Sequence, residues 1–332
     1  MSALRTLSKN RPLLWIGGVA IFLALPVVVN NTFLIHLAIL GMLYAVVASN
    51  WDLTLGYAGV FNFAHIAFFG IGAYTSGILA VRLDISPWLG IPAGALVALI
   101  ASAIVSIPAI RLRGIYVALL TFAFSQLTLL LLLSQPAVTG GQQGLTGVPP
   151  LSIGSFAFRG SNVAYFYLVG LLLLCSTIFL RRVVVSDFGL SLVALRDFEE
   201  YAIARGIPLA RQRFLAFALS SIFPGLAGAI FAHYLIVASP EFFGFSFTTL
   251  FLSMVLVGGT STIYGPVLAG VVMTYVSELM SSLGPVRFMI VAVIIVVTMR
   301  FFPQGIWGLI NQYLPGPPES KSADVTTVEQ QS

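Results

Sequence analysis

The residues able to do acid, base, metal or nucleophilic chemistry are few in this chain and poorly spaced for it. His36, His65 and His233 are its three histidines, and no H-E-x-x-H spacing sets two of them on one helix face, so no helix-borne zinc site is expected. The single cysteine, Cys175, lies in the apolar run Leu171 to Leu180 and supports neither a disulfide framework within the chain nor a cysteine metal cage. Neither lysine, Lys9 or Lys321, closes a glycine-rich loop, so the chain supplies no Walker A site for a nucleotide phosphate. No compact catalytic cluster remains, and the sequence reads as a non-enzyme without a cofactor. Its polar residues gather instead in a few places. Asp187, Asp197, Glu199 and Glu200 put four of the eleven acids into one stretch. Asn62 and His65 stand three apart, as residues sharing a helix face do. Glu278 lies in an apolar segment beside Ser277, Ser281 and Ser282.

The elements that must position these residues are dictated by composition. Of 332 residues 58% are hydrophobic and 8% charged, with a mean hydropathy of +1.01, whereas soluble domains carry about 25% charged residues. There are too few polar side chains to cover a soluble surface, so lipid is the expected solvent. Crossing about 30 Å of hydrocarbon takes roughly 20 mainly apolar residues. Ten segments qualify as candidates: 13–29, 33–50, 61–81, 88–110, 114–134, 162–180, 214–237, 246–260, 265–283 and 286–302. The eighth is short enough to be a broken or re-entrant piece, so the expected fold class is an all-α polytopic membrane bundle of eight to ten helices.

The net charge of +5 comes from 14 Arg and two Lys against eleven acids, and its distribution sets an orientation. If all ten segments cross from a cytoplasmic N-terminus, thirteen basic residues fall inside and only Arg82, Arg159 and Arg287 outside. That is the asymmetry expected of an inner-membrane protein with both termini cytoplasmic. It explains the basic pI without nucleic acid. Residues 1–12 then form a cytoplasmic N-terminus and 13–302 the membrane domain, with a cytoplasmic loop at 183–213. The tail 303–332 ends in a Pro-, Ser-, Thr- and Glu-rich stretch that reads as disordered.

The loop's middle, Ser191 to Arg205, is built of good helix formers and followed by Gly206 and Pro208, a helix stop. The spacing predicts a short helix with Leu192, Leu195 and Ala202 on one stripe. It is either a solvated connector or a docking helix for a soluble partner.

The stretch Glu200-Tyr201-Ala202-Ile203-Ala204-Arg205-Gly206 resembles the E-A-A-x-x-x-G coupling motif of ABC importer permeases; Tyr201 departs from the second Ala, and the I-x-L-P ending is missing. Gly56-Tyr-Ala-Gly-Val-Phe-Asn-Phe-Ala-His65, continuing to Tyr74, Thr139 to Pro149, and Gly258-Gly-Thr-Ser-Thr-Ile-Tyr-Gly-Pro266 resemble the permease of branched-chain amino-acid ABC importers, the LivM type, to which urea and amide permeases are close. The likeness covers about residues 35 to 310 in order. It implies partners: ABC ATPase subunits, a second homologous permease and a periplasmic or lipid-anchored solute-binding protein. It also implies an ATPase-coupling role for Glu199, Glu200, Ala202 and Gly206.

A substrate pathway could use Tyr57, Asn62, His65, Gln126, Gly258 and Gly259. Each has a plainer alternative. The glycines from Gly56 to Gly77 permit close helix packing as well as unwound backbone. Gly258 and Gly259 equally fit a tight inner turn. Asn62 and His65 equally fit a hydrogen bond to another helix. The outer loop from Thr139 to Gly147 is long for a plain connector and could meet a substrate-delivering protein. Asp52 and Glu278 are expected to be paired or interfacial, Glu278 with Arg287 close by. Arg111 and Arg113 are expected to anchor at the inner interface.

Overall fold

Apolar runs bounded by glycine, proline and asparagine become helices here because a helix satisfies every backbone polar group within itself. A computed structural model of the chain describes Pro26 and residues 31–153, 156–158, 162–280, 284, 286–301 and 305–308. Asn31 caps the first long helix, α1 (Thr32–Asp52), accepting from the N–H groups of Phe33 and Leu34. It continues through one π-helical turn, Leu53–Tyr57. Next come α2 (His65–Arg82), α3 (Pro87–Ala109), with proline at its first position, and α4 (Ile115–Ser134). Beyond the loop that follows α4 lie α5 (Asn162–Val185), α6 (Asp187–Asp197), α7 (Glu199–Ala204), α8 (Leu209–Leu235), α9 (Phe245–Gly258), α10 (Tyr264–Leu279) and α11 (Val286–Phe301).

Among the described residues, five stretches are long and apolar enough to cross a membrane: Thr32–Tyr57, Pro87–Ala109, Ile115–Ser134, Asn162–Val185 and Leu209–Leu235. Nine of the ten expected segments coincide with helices. The segment 13–29, residues 1–12 and most of the tail lie outside the described residues. Two local expectations are corrected. The segment expected at 61–81 begins its helix only at His65, so Asn62 stands in the turn before it. The loop helix expected from Ser191 to Arg205 is broken at Phe198, whose φ of −145° and ψ of 75° are not helical.

Small residues let the bundle close. The main helix pairings are α8 with α3 and α2, α2 with α3, and α1 with α10. A side chain on Gly72 of α2 would collide with the Gly225 backbone of α8, and one on Gly94 of α3 would lie 2.8 Å from the Gly72 carbonyl. Gly270 of α10 likewise faces Ala45 of α1, an added Cβ falling 2.7 Å from the alanine Cβ. Packing of this kind replaces the hydrophobic drive that lipid removes. Polar contacts reinforce it: Asn50 donates to the Ser176 hydroxyl at 2.7 Å, and His233 meets Ser76 at 2.7 Å and the Pro149 carbonyl at 2.7 Å. Hydroxyls such as Ser102 and Thr121 return to carbonyls of their own helices. At the opposite end from α6 and α7, Leu145 and Thr146 pair antiparallel with Ala238 and Val237, so the loop after α4 is tied to the end of α8.

Candidate functional site

The polar side chains converge where α1 ends. Asp52 is the one buried carboxylate among the described residues, 1% exposed. Its two oxygens accept from the backbone N–H groups of Ser261 and Thr262 at 3.0 and 3.1 Å. Asp52 was expected to be paired or interfacial; it is buried, and its hydrogen-bond partners are backbone donors in the α9–α10 turn. Ser261 takes a left-handed φ of +61°, which aims its N–H at the carboxylate. Gly258 and Gly259 lie in this same turn, where a side chain on Gly258 would strike Gly265. Tyr57 ends the π turn beside it, packed with the Leu53, Leu180, Leu192 and Ala216 cluster.

Against this end lies the elbow formed by α6 and α7. Leu192, Leu195 and Ala202 are buried, which is the stripe the spacing predicted. Glu199 is held by Arg213 of α8 at 2.9 Å and by Arg113, just before α4, at 3.1 Å. Arg213 also donates to the Leu112 carbonyl at 3.2 Å. Arg113, expected as an interfacial anchor, therefore has an ion-pair role as well. Around Ala202 the surface is open: Phe198, Tyr201 and Ile203 are 74%, 61% and 41% exposed, and Glu200 and Gly206 are exposed too. Tyr201 and Arg205 brace each other, the guanidinium donating to the phenol oxygen at 2.7 Å. Gly206 takes a φ of +88° with open space around it, as a helix-ending glycine does.

The Asn62 and His65 pair lies deeper. Trp51 stacks on His65 with ring centroids 5.5 Å apart, His65 Nδ1 meets the Asn62 carbonyl at 3.3 Å, and both Asn62 and His65 are fully buried. Asn50 Oδ1, Trp51 Nε1, Asn62 Nδ2 and His65 Nε2 make no hydrogen bond with the described residues. Donors and acceptors of this kind suit small neutral hydrogen-bonding groups. Gln126 is half-buried on α4, apart from the residues gathered around Asp52. Glu278 lines a cavity of about 190 Å³ with Tyr44, Thr274 and Ser277, and Ser246 at the start of α9. No group of three His, Cys, Asp or Glu side chains gathers as a metal cage among the described residues.

Arg196 and Ser261 escaped the sequence reading. Arg196 donates to the Gly56 carbonyl at 2.8 Å and to the Ser261 hydroxyl at 2.7 Å. The available signal was an arginine ending an apolar stripe, with Gly56 and Gly59 three apart between two apolar segments.

A helical bundle of apolar, small-residue-packed spans whose elaborated polar end carries an exposed, ion-pinned elbow is the framework of a membrane transport permease. The chain belongs to the family of permease components of branched-chain amino acid transport systems, whose model matches residues 33–299. It is 28% identical over 294 residues to the high-affinity branched-chain amino acid transport system permease protein LivM of Salmonella typhimurium, covering 82% of this chain and 69% of the relative. The protein of the same description from Escherichia coli is 27% identical over the same shares. No solved structure matches.

Proposed function

We propose that this chain is the membrane permease subunit of an ATP-binding-cassette importer for branched-chain or related amino acids. The observation that carries it is the α6–α7 elbow: Ala202 and Glu199 fix its backbone to the bundle while Phe198, Glu200, Tyr201 and Ile203 stay exposed. A rigid, exposed apolar and charged surface suits a soluble partner that must push on the bundle. The substrate class comes from the relatives' printed descriptions. A permease for urea or short amides is the nearest alternative within the same framework.

On this reading the bundle crosses the bacterial inner membrane eight to ten times within 13–302. Residues 1–12, the loop 183–213 and the tail 303–332 lie in the cytoplasm. The partners are two ATPase subunits, a second homologous permease and an external solute-binding protein. ATP binding closes the ATPase pair, the elbow at Glu199 to Gly206 carries the movement inward, and the pathway opens toward the loaded binding protein. Hydrolysis resets it. The nucleotide chemistry belongs to the ATPase partners. A zwitterionic solute needs no fixed charge in the membrane, so Tyr57, Asn62, His65, Gln126 and the Gly258–Gly259 backbone suffice as pathway groups.

A tagged chain isolated in mild detergent is expected to bring two ATPase subunits and a second permease. Glu200→Lys and Gly206→Arg are expected to insert normally and lose the ATPases; wild-type complex formation by both removes the docking role. Glu278 in its cavity favours a second reading, a stand-alone ion-coupled transporter. In that case the chain alone, in proteoliposomes with an ion gradient, would transport, and Glu278→Gln would abolish the flux.

A further inference from the structure

We infer, on the importer reading above, that Arg196 is a strut that makes the inner end of α1 and the α9–α10 turn move as one body with the coupling elbow. Three segments far apart in sequence meet on its guanidinium. One nitrogen, Nη1, donates to the Gly56 carbonyl of the π turn at 2.8 Å and to the Ser261 hydroxyl at 2.7 Å, while Nε is held by Asp197 at 2.8 Å. Ser261 in turn donates its own N–H to Asp52, four residues before Gly56. The result is a closed ring: Arg196, Ser261, Asp52, the π turn to Gly56, and back to Arg196.

Gly56 in the π turn and Gly59 just beyond it are there because the ring leaves no room for side chains. A Cβ on Gly56 would collide with the Asp52 carboxylate and the Ser261 nitrogen. One on Gly59 would lie 2.5 Å from Arg196 Cγ, and Gly59 also takes a φ of +66°. The arginine stem therefore lies across bare backbone. Gly56 sits next to last in the π turn, where helix carbonyls have no partner within the helix and remain free to accept.

Directionality separates this link from the rest of the elbow's attachment. Leu192 packs on Leu53, Leu180 and Ala216, and apolar surfaces tolerate sliding. A planar guanidinium bonded to two segments does not, because hydrogen bonds weaken steeply outside a narrow range of distance and angle. Any shift of α6 either carries Gly56 and Ser261 along or breaks both bonds. The turn is itself stiff, since Gly258 closes on Gly265, so movement of Ser261 is movement of the ends of α9 and α10.

The test is electron–electron distance measurement on the complete complex in nanodiscs, with spin labels at Leu190→Cys on α6 and Thr260→Cys in the turn, in a Cys175→Ser background. Both labelled positions are exposed. The two labels are expected to keep one distance with and without trapped ATP in the parent protein. In Ser261→Gly, which suits the left-handed backbone and removes only the hydroxyl, ATP is expected to shift the distance by about 2 Å or more. Arg196→Lys, which keeps the charge but is one atom shorter and lacks the Nε link to Asp197, is expected to do the same and serves if the first variant assembles poorly. A nucleotide-dependent distance in the parent, or an invariant one in both variants, overturns the strut alone. Absence of ATPase subunits from the parent complex overturns the importer reading and the strut with it.

Discussion

Asp52 uses both oxygens as acceptors from backbone N–H groups, which a carboxyl group can do and an amide cannot. Asp52→Asn keeps the shape, yet turns one acceptor into a donor facing a donor. The expected loss is about 2 kcal/mol, read as a lower melting temperature of the detergent-solubilised protein; an unchanged melting curve would show that the turn has another anchor. Gly59→Ala tests the space beneath Arg196. Its left-handed backbone and its clash with Cγ should together destabilise by about 1–3 kcal/mol. In an Arg196→Ala background only the backbone part remains, so the two changes should be non-additive in a double-mutant cycle. The sequence displays Gly56 and Gly59 as interruptions, but not their cause, because the Ser261 backbone against Gly56 and the Arg196 stem across Gly59 both come from far further along the chain.

Among the elements, the α6–α7 elbow depends on charge while the spans depend on shape. Glu199 joins Arg113 and Arg213 at partial exposure, where solvent screens the pairs and leaves them worth about 1 kcal/mol or less each. Glu199→Gln should therefore fold but loosen the elbow, and limited trypsin digestion should cut at Arg205 and Arg211 faster than in the parent. Equal cutting rates would place the restraint in Ala202 and Leu195 alone. Gly225→Val, by contrast, pushes α8 away from α3, where an added Cβ would already sit 2.8 Å from Ala98; overpacking of about 1–3 kcal/mol or more should appear as aggregation on solubilisation. Helix positions were legible from the sequence because a long apolar run declares itself: 88–110 and 114–134 fall within one residue of α3 and α4. The failures lie where apolarity is silent about backbone direction. The run through Phe61 and Phe63 is as apolar as the helix that follows, and the break at Phe198 carries no glycine or proline to mark it.

For the molecule as a whole, the asymmetry of basic residues makes an orientation testable. In intact cells carrying Cys175→Ser, Gln142→Cys in the exposed loop after α4 should, on the proposed orientation, react with an impermeant maleimide, whereas Glu200→Cys should react only after permeabilisation. The reverse pattern would invert the topology and place the elbow on the side that has no ATP. The Asp52 anchor also has a consequence in time. Its backbone partner Ser261 lies 209 residues downstream, and at the usual 5–20 residues per second a ribosome takes roughly 10–40 seconds to supply it. Throughout that interval α1 is already made while its terminal carboxylate lacks the two N–H donors it accepts from in the finished fold, and its packing partner α10 does not yet exist. A nascent chain stalled before Thr262 should thus hold α1 loosely, leaving it open to membrane proteases. The last third of the protein acts as the latch that ends a waiting period built into biosynthesis.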